Sequence, residues 1–303
     1  MQRYEKNCIF ALLRKMSVKK NKLIIIEGPT GVGKTAYAID VAKTLKTEII
    51  SADSRQFYKE LNIGVARPSE EELAEVKHHF IAHIGIEDYY SVSKFETEVL
   101  ALLENLFQAH ETVVMVGGSG LYVNAVCQGI DELPDPDDQL RQDIEKLYET
   151  QGIEALRSQL KILDPVFYNQ IDLANHKRLR RALEVCLQTG KPYSELRTNT
   201  KKIRNFDIER IALNRDKDEL YGRINMRVDA MIQTGLVDEA KSLHPFKHLN
   251  ALNTVGYKEL FEHFDGKISL EQAITDIKTH SRRYAKRQLT WLRAQGDIQW
   301  KIL

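Results

Sequence analysis

The chain has 303 residues, 43% of them hydrophobic and 29% charged, roughly twice the length of a typical domain and able to bury a sizeable core. Seven prolines and sixteen glycines exclude collagen-like and linker-dominated chains. The longest apolar runs, Leu23–Ile26 and Val113–Val116, fall far short of the roughly 18 residues of a membrane span. Lysine plus arginine number 44 against 43 acidic residues, a formal charge of +1, so net charge selects no partner and only its distribution can.

Residues 1–20 carry Arg3 and Lys6, a short apolar stretch from Cys8 to Leu13, then Arg14 and Lys15. Two bases follow the apolar stretch where a secretory signal has small residues. The segment is therefore expected to be a frayed leader, with Met16 an alternative start. The three cysteines, Cys8, Cys127 and Cys186, are far apart and form no CxxC pair, as free thiols of a reducing compartment do. The cytoplasm is the expected location.

Lys22–Glu27 reads as an apolar strand of the kind buried in a parallel sheet, and a glycine-rich turn leads to a helix over Lys34–Leu45. Glu48–Ala52 is a second strand, Lys94–Ala109 an amphipathic helix, and Thr112–Val116 a third strand closed by Gly117-Gly118. Alternating strands and helices predict a three-layer α/β/α core around a parallel sheet. From Asp131 the turn-rich LPDPDD opens a helical stretch with periodic segments Gln139–Thr150, Ile153–Ile162 and Lys177–Thr189, and no strand. Residues 131–201 are thus expected to be an all-helical insertion, between core segments 21–130 and 202–303. A strand at Ile208–Leu213 and helices at Lys217–Thr234, Val237–Leu243, Tyr257–Phe264 and Leu270–Gln295 complete the chain.

Gly28-Pro29-Thr30-Gly31-Val32-Gly33-Lys34-Thr35 fits the P-loop spacing G-x4-G-K-[ST] in its required strand-to-helix context. Backbone N–H groups converge on phosphate oxygens, Lys34 supplies a mobile cation, and the Thr35 hydroxyl can ligate Mg2+. The core is therefore P-loop NTPase-like. An ATP-hydrolysing relative needs a second apolar strand ending in a metal-supporting Asp. Val113–Val116 ends in glycines instead, and Ile49–Ala52 reaches Asp53 only through Ser51 and Ala52.

Ligands of open α/β sheets bind beyond the carboxyl ends of strands, where the P-loop, Asp53-Ser54-Arg55-Gln56 and Gly117–Tyr122 all arrive. A carboxylate so near phosphate suits proton or metal handling, the alternative being a cap on a following helix. Ser119 suits a substrate hydrogen bond or a plain turn. Lys278–Arg293 holds six bases and no acid, with Ile277, Tyr284 and Trp291 seven apart as a packing stripe. His176–Arg181 is a second basic run, and two such runs suit a polyanion, nucleic acid above all. Arg223 and Arg227 lie four apart on one helix face, fit to clamp phosphate or to pair with Asp218, Glu219 or Asp229.

In this order GPTGVGKT, SADSRQFYKELNIGVARP, HHF, YSVSKF, VGGSGLY, RRALEVCLQTGKP, LYGRINMRVDAMIQTGLVDEA, VGYKE and RRYAKRQLTWLR resemble the tRNA dimethylallyltransferase (tRNA isopentenyltransferase) family, from about Lys22 to Arg293. The resemblance implies transfer of a dimethylallyl group from dimethylallyl diphosphate to the N6 amine of the adenosine beside the anticodon, in tRNAs reading codons that begin with U. It implies Asp53 as general base, with Lys34, Arg223 and Thr35 with Mg2+ steadying the departing diphosphate. The family's tRNA contacts map onto Asp53, Ser54, Arg55 and Gln56, onto Lys177, Arg178, Leu179, Arg180 and Arg181, and onto Asn253, Thr254, Val255, Gly256, Tyr257 and Lys258. They map further onto Lys286, Arg287, Gln288, Leu289, Thr290, Trp291, Leu292 and Arg293, with Ser119 and Arg141 flanking the substrate channel. The resemblance implies a helical clasp on the anticodon stem, a monomer, and the bacterial type without a zinc-finger tail. Ala82, His176 and Asn214 stand where the family has Asp, and Val65 where it has Thr. Two rival readings are an isopentenyltransferase acting on free adenine nucleotides and an ATP-dependent kinase or nucleotide-gated RNA-binding module.

Overall fold

The computed structural model describes residues 21–198 and 200–303; the expected leader at 1–20, with Cys8 and Met16, lies outside the described residues. Two compact units emerge, one formed by the chain up to Cys127 together with Ile203–Leu303, the other by Gln128–Lys202.

The first unit is built on a sheet of β1 (Lys22–Glu27), β2 (Ile49–Ser51), β3 (His78–His79), β4 (Thr112–Gly117), β5 (Asp207–Asn214) and β6 (Ile298–Ile302), in the order β3-β2-β4-β1-β5-β6. Every neighbouring pair is parallel. Side chains alternate across a strand, so the central strands feed two apolar layers. Leu23, Ile25, Ile50, Val113 and Met115 pack with α3 (Val92–Ala109) and α4 (Gly120–Gln128). Ile26, Ile49, Val114 and Val116 pack on the other side with α1 (Lys34–Leu45), α9 (Lys217–Gln233) and Ala285 of α12 (Leu270–Arg293). The three-layer α/β/α arrangement follows from that alternation. A further apolar cluster joins α10 (Leu236–Leu243), α11 (Tyr257–Phe264) and the start of α12 around Tyr257, Leu260 and Ile277.

Short polar side chains start several of these helices: Ser91 accepts the Lys94 N–H at α3, and Ser269 accepts that of Gln272 at α12. Several elements of this unit were not expected from the sequence, among them β3, β6, α4 and the short helix α2 (Glu70–Glu75), which Ser69 and Glu72 start as a capping box. The packing stripe of α12 also differs from expectation. Ile277 is buried, but Tyr284 and Trp291 are 38% and 39% exposed, and Ala273, Ala285, Gln288 and Leu292 face inward instead. A straight helix turns every 3.6 residues, so a spacing of seven drifts off the buried face.

Glu27 and Arg210 meet in the centre of the sheet, the guanidinium donating from Nε to Oε2 at 2.7 Å and from Nη2 to Oε1 at 3.0 Å. The pair is buried and bidentate. Replacing Arg210 with Met leaves the carboxylate unpaired and is expected to cost about 3–5 kcal/mol, read as a lowered midpoint in urea unfolding. The double variant Glu27→Gln/Arg210→Met is expected to recover much of the loss.

The second unit holds α5 (Asp138–Leu163), α6 (Pro165–Tyr168), α7 (His176–Thr189) and α8 (Tyr193–Leu196), with no strand among its described residues. It has its own core of Ile144, Leu156, Leu160, Phe167, Leu179, Ala182 and Leu183. Gly152, at φ 73°, breaks the two expected helical segments inside α5. Asp164 is wholly buried yet satisfied, its carboxylate accepting the Phe167 N–H at 2.8 Å, the Ser194 hydroxyl at 2.8 Å and the Ser194 N–H at 2.7 Å. His176 stacks on Tyr148 at 4.9 Å, while Asn175 caps α7. The unit runs from Gln128 to Lys202, and at its two ends the Lys202 N–H donates to the Gln128 carbonyl at 2.8 Å.

Candidate active site

The P-loop leaves β1 and enters α1 at Lys34. Gly33, at φ 104°, takes a left-handed conformation that a side chain would strain. A Cβ on Gly31 would come within 2.9 Å of Ile224, so α9 backs directly onto the loop. From α9 Arg223 donates its Nε–H to the Gly31 carbonyl at 2.9 Å, and Arg215, just before that helix, donates to the Val32 carbonyl at 2.9 Å. Arg215 also pairs with Glu219, and Asp229 with Lys278. The ion-pairing alternative thus holds for Arg215, whereas Arg223 and Arg227 have no carboxylate within salt-bridge distance among the described residues. Lys34 donates from Nζ to the Pro29 carbonyl at 2.8 Å. Burial pushes the Lys34 ammonium down to about 8, with Asp53 pulling upward, Arg227 downward and Glu27 upward.

Asp53 follows β2. No helix begins there, so the helix-capping alternative gives way to a turn: the carboxylate accepts the Arg55 N–H at 3.1 Å and its carbonyl accepts the Gln56 N–H at 3.0 Å. Ser119 fixes this turn. Its hydroxyl accepts the Ser54 N–H at 3.0 Å, and its own N–H donates to the Ala52 carbonyl at 3.3 Å.

These elements enclose a cavity of about 960 Å³ whose lining includes Lys34, Thr35, Asp53, Arg223, Arg227 and Tyr284. A second cavity, of about 350 Å³, is lined by Gly117–Tyr122, Trp291 and Leu292. Ser54, Tyr284, Arg287 and Gln288 line both and form their common wall. Removal from water, reinforced by Asp53, raises the Tyr284 phenol to about 12, so it is a neutral donor.

The structure sorts the remaining candidates. Gly28 sits at the head of the loop, while Thr30, Asn253, Thr254, Val255, Gly256 and Lys258 line the larger cavity. Tyr257 is fully buried and donates its hydroxyl proton to Glu239 at 2.5 Å. Arg55 reaches the Asn250 and Ala251 carbonyls at 2.7 and 3.1 Å, and Gln56 is buried against Val65 and Ala66. On α12, Lys286, Arg287, Thr290, Trp291 and Arg293 are exposed, Leu289 is half-buried, and Gln288 and Leu292 are buried. Arg141 and Lys177–Arg181 belong to the helical unit, where Arg141, Lys177, Arg180 and Arg181 line a separate cavity of about 210 Å³ with Glu145 and Glu184. There Arg141 donates to Glu184 at 2.9 Å and Arg181 to the Pro134 carbonyl at 3.0 Å, Lys177 and Arg178 are exposed, and Leu179 is wholly buried. Sequence reasoning missed Tyr284 as a cavity residue. The available signal was its position four before Gln288, on the same helix face.

Among the described residues no cluster of three or more His, Cys, Asp or Glu can hold a metal, and no helix is long and apolar enough to cross a membrane.

Known proteins match this architecture along most of the chain. The IPP transferase family model matches residues 56–295. A tRNA dimethylallyltransferase of Azobacteroides pseudotrichonymphae is 52% identical over 278 residues, 92% of this chain and 91% of that protein. One from Christiangramia forsetii is 52% identical over 280 residues, 92% of this chain and 93% of its own. The full-length tRNA isopentenylpyrophosphate transferase of Bacillus halodurans superposes with a TM-score of 0.67 at 37% identity, covering 93% of this chain and 90% of that one. A eukaryotic dimethylallyltransferase acting on tRNA gives a TM-score of 0.76 at 27% identity, covering 93% and 74%. With its P-loop, its strand-end carboxylate and relatives about half identical along nearly their whole length, this chain belongs to the IPP transferase family.

Proposed function

We propose that the protein transfers the dimethylallyl group of dimethylallyl diphosphate to the exocyclic amine of an adenosine next to the anticodon of tRNA. The observation that carries this reading is one cavity lined by a P-loop with its Lys34, by Arg223 and by the carboxylate of Asp53. An exocyclic adenine amine is a weak nucleophile, so the allylic C–O bond must loosen as the new C–N bond forms. Negative charge then grows on the diphosphate, where Lys34, Arg223 and the loop N–H groups concentrate positive potential. Asp53 takes the proton that the amine sheds. The second cavity, lined by Tyr284 and Trp291, offers room for a base taken out of its stack beside the reacting centre.

Mg2+ prefers a few oxygen ligands together with water and substrate phosphates rather than an all-protein cage. The Thr35 hydroxyl on the cavity lining, with Asp53 and Glu72 on the same lining, fits an ion that arrives with diphosphate. Thr35 would hold it, and the ion would neutralise diphosphate charge.

Kinase or ATPase chemistry is disfavoured because β4, the strand beside β1, ends in Gly117 rather than a carboxylate. The free-nucleotide reading leaves the exposed bases of α12 without a partner. Arg287→Ala is expected to weaken tRNA binding and to reduce the salt slope by about 1, measured by filter binding across a salt series. An unchanged slope would return that residue to ordinary surface. The direct test is mass spectrometry of an anticodon stem-loop incubated with the enzyme and dimethylallyl diphosphate. Prenylated adenosine with released diphosphate is expected; its absence rejects the reading.

A further inference from the structure

The family resemblance implies an RNA contact for Gln288, yet its side chain points inward and is 8% exposed. Its amide makes one hydrogen bond in each direction. The Oε1 accepts the Thr30 N–H of the P-loop at 2.8 Å, and the Nε2 donates to the Gly118 carbonyl at 2.9 Å. Gly118 follows β4, and the next residue, Ser119, holds the Ser54 N–H beside Asp53. One amide therefore spans from the loop that cradles phosphate to the turn that carries the carboxylate. It does so in the wall shared by the two cavities. A Cβ on Gly118 would lie 2.4 Å from the Nε2, so the glycine leaves room for this amide.

We propose that Gln288 is a positioning residue, an amide clamp that sets the spacing between the P-loop and the Asp53 turn. This role rests on the reaction proposed above. The physical argument is one of distance. Leaving group and base act on atoms of two different substrates, and these must approach within near-attack separation. A misplacement of about 1 Å costs about 100-fold in rate. Glutamine fits because only a group with one acceptor and one donor satisfies both backbone partners. The exposed neighbours Lys286 and Arg287 keep any RNA contact for themselves.

Gln288→Met keeps the volume and removes both bonds. It is expected to lower kcat about 100-fold while the dissociation constant for tRNA stays within about threefold. Gly118→Ala, which pushes on the same amide from the other side, is expected to do likewise. Gln288→Glu adds a readout that packing alone does not move. A protonated carboxyl can accept from Thr30 and donate to Gly118, whereas the ionised form cannot donate. Its activity relative to wild type is expected to climb as pH falls from about 8 to about 6, the buried carboxyl taking up its proton. Hydrogen exchange gives a measure free of turnover: the Thr30 amide is expected to exchange faster in Gln288→Met. If wild type transfers no prenyl group, the proposed function fails while the exchange result still judges the clamp. If wild type is active and Gln288→Met keeps its kcat, or the Gln288→Glu ratio is flat with pH, the clamp is overturned.

Discussion

Asp53→Asn is expected to abolish most prenyl transfer, by about 10²–10⁴-fold in kcat, the range a positioned general base contributes. The amide retains an oxygen to accept the Arg55 N–H, so the turn and its Ser54–Ser119 bond survive. tRNA binding and the unfolding midpoint are therefore expected to stay near wild type. Single-turnover transfer assays on a stem-loop, with filter binding in parallel, check both halves. Near-normal turnover would remove Asp53 as the base.

Lys34→Met is expected to cost about 10²–10³-fold, as loss of one preorganised group at a developing charge does. The lowered Lys34 value adds a pH signature whose sign is fixed. Below about 8 the ammonium is charged and binds diphosphate; above it the group is neutral and contributes no ionic attraction. Affinity for inorganic diphosphate is thus expected to fall about tenfold between pH 7 and pH 9, measured by calorimetry in the presence of Mg2+. Bound diphosphate draws the proton back, so binding above pH 8 is accompanied by proton uptake, seen as an observed binding heat that varies with the ionisation heat of the buffer. In Lys34→Met the pH dependence over this interval is expected to flatten. A wild-type affinity independent of pH across this range would contradict the picture of a desolvated ammonium.

Much of this was visible in residue order. An apolar run ending at Glu27, the G-x4-G-K-T spacing and the periodic helix after it point to one local structure, and the chain adopts it. The missing pieces share a cause, which is weak local patterning. β6 reads IQWKI and is largely exposed, so its strand character comes from pairing with β5. β3 is only His78–His79. α4 starts on Gly120, straight after the glycine turn, with no helix-start signal of its own. Within the site, the residue types were legible and their directions were not. Leu179, Tyr257, Gln288 and Leu292 sit inside basic or motif-rich segments, but helical rotation turns them toward the interior. The spacing of Ala285, Gln288 and Leu292, an i, i+3, i+7 set, carried that information. The polar residue in it was the one to suspect of holding backbone.

The hydrogen bond from Lys202 to Gln128 has a consequence for how this polypeptide can be divided. Entry and exit of the helical unit lie at a single doorway, and the unit has a private apolar centre. Excising 129–201 and bridging the gap with a few glycines and serines leaves every strand and the P-loop in an unbroken chain. The helical segment, joined end to end through the same doorway, becomes a candidate for circular permutation. The core unit keeps all six strands and the P-loop on its own two chain segments, so the cut leaves the sheet's connectivity unchanged.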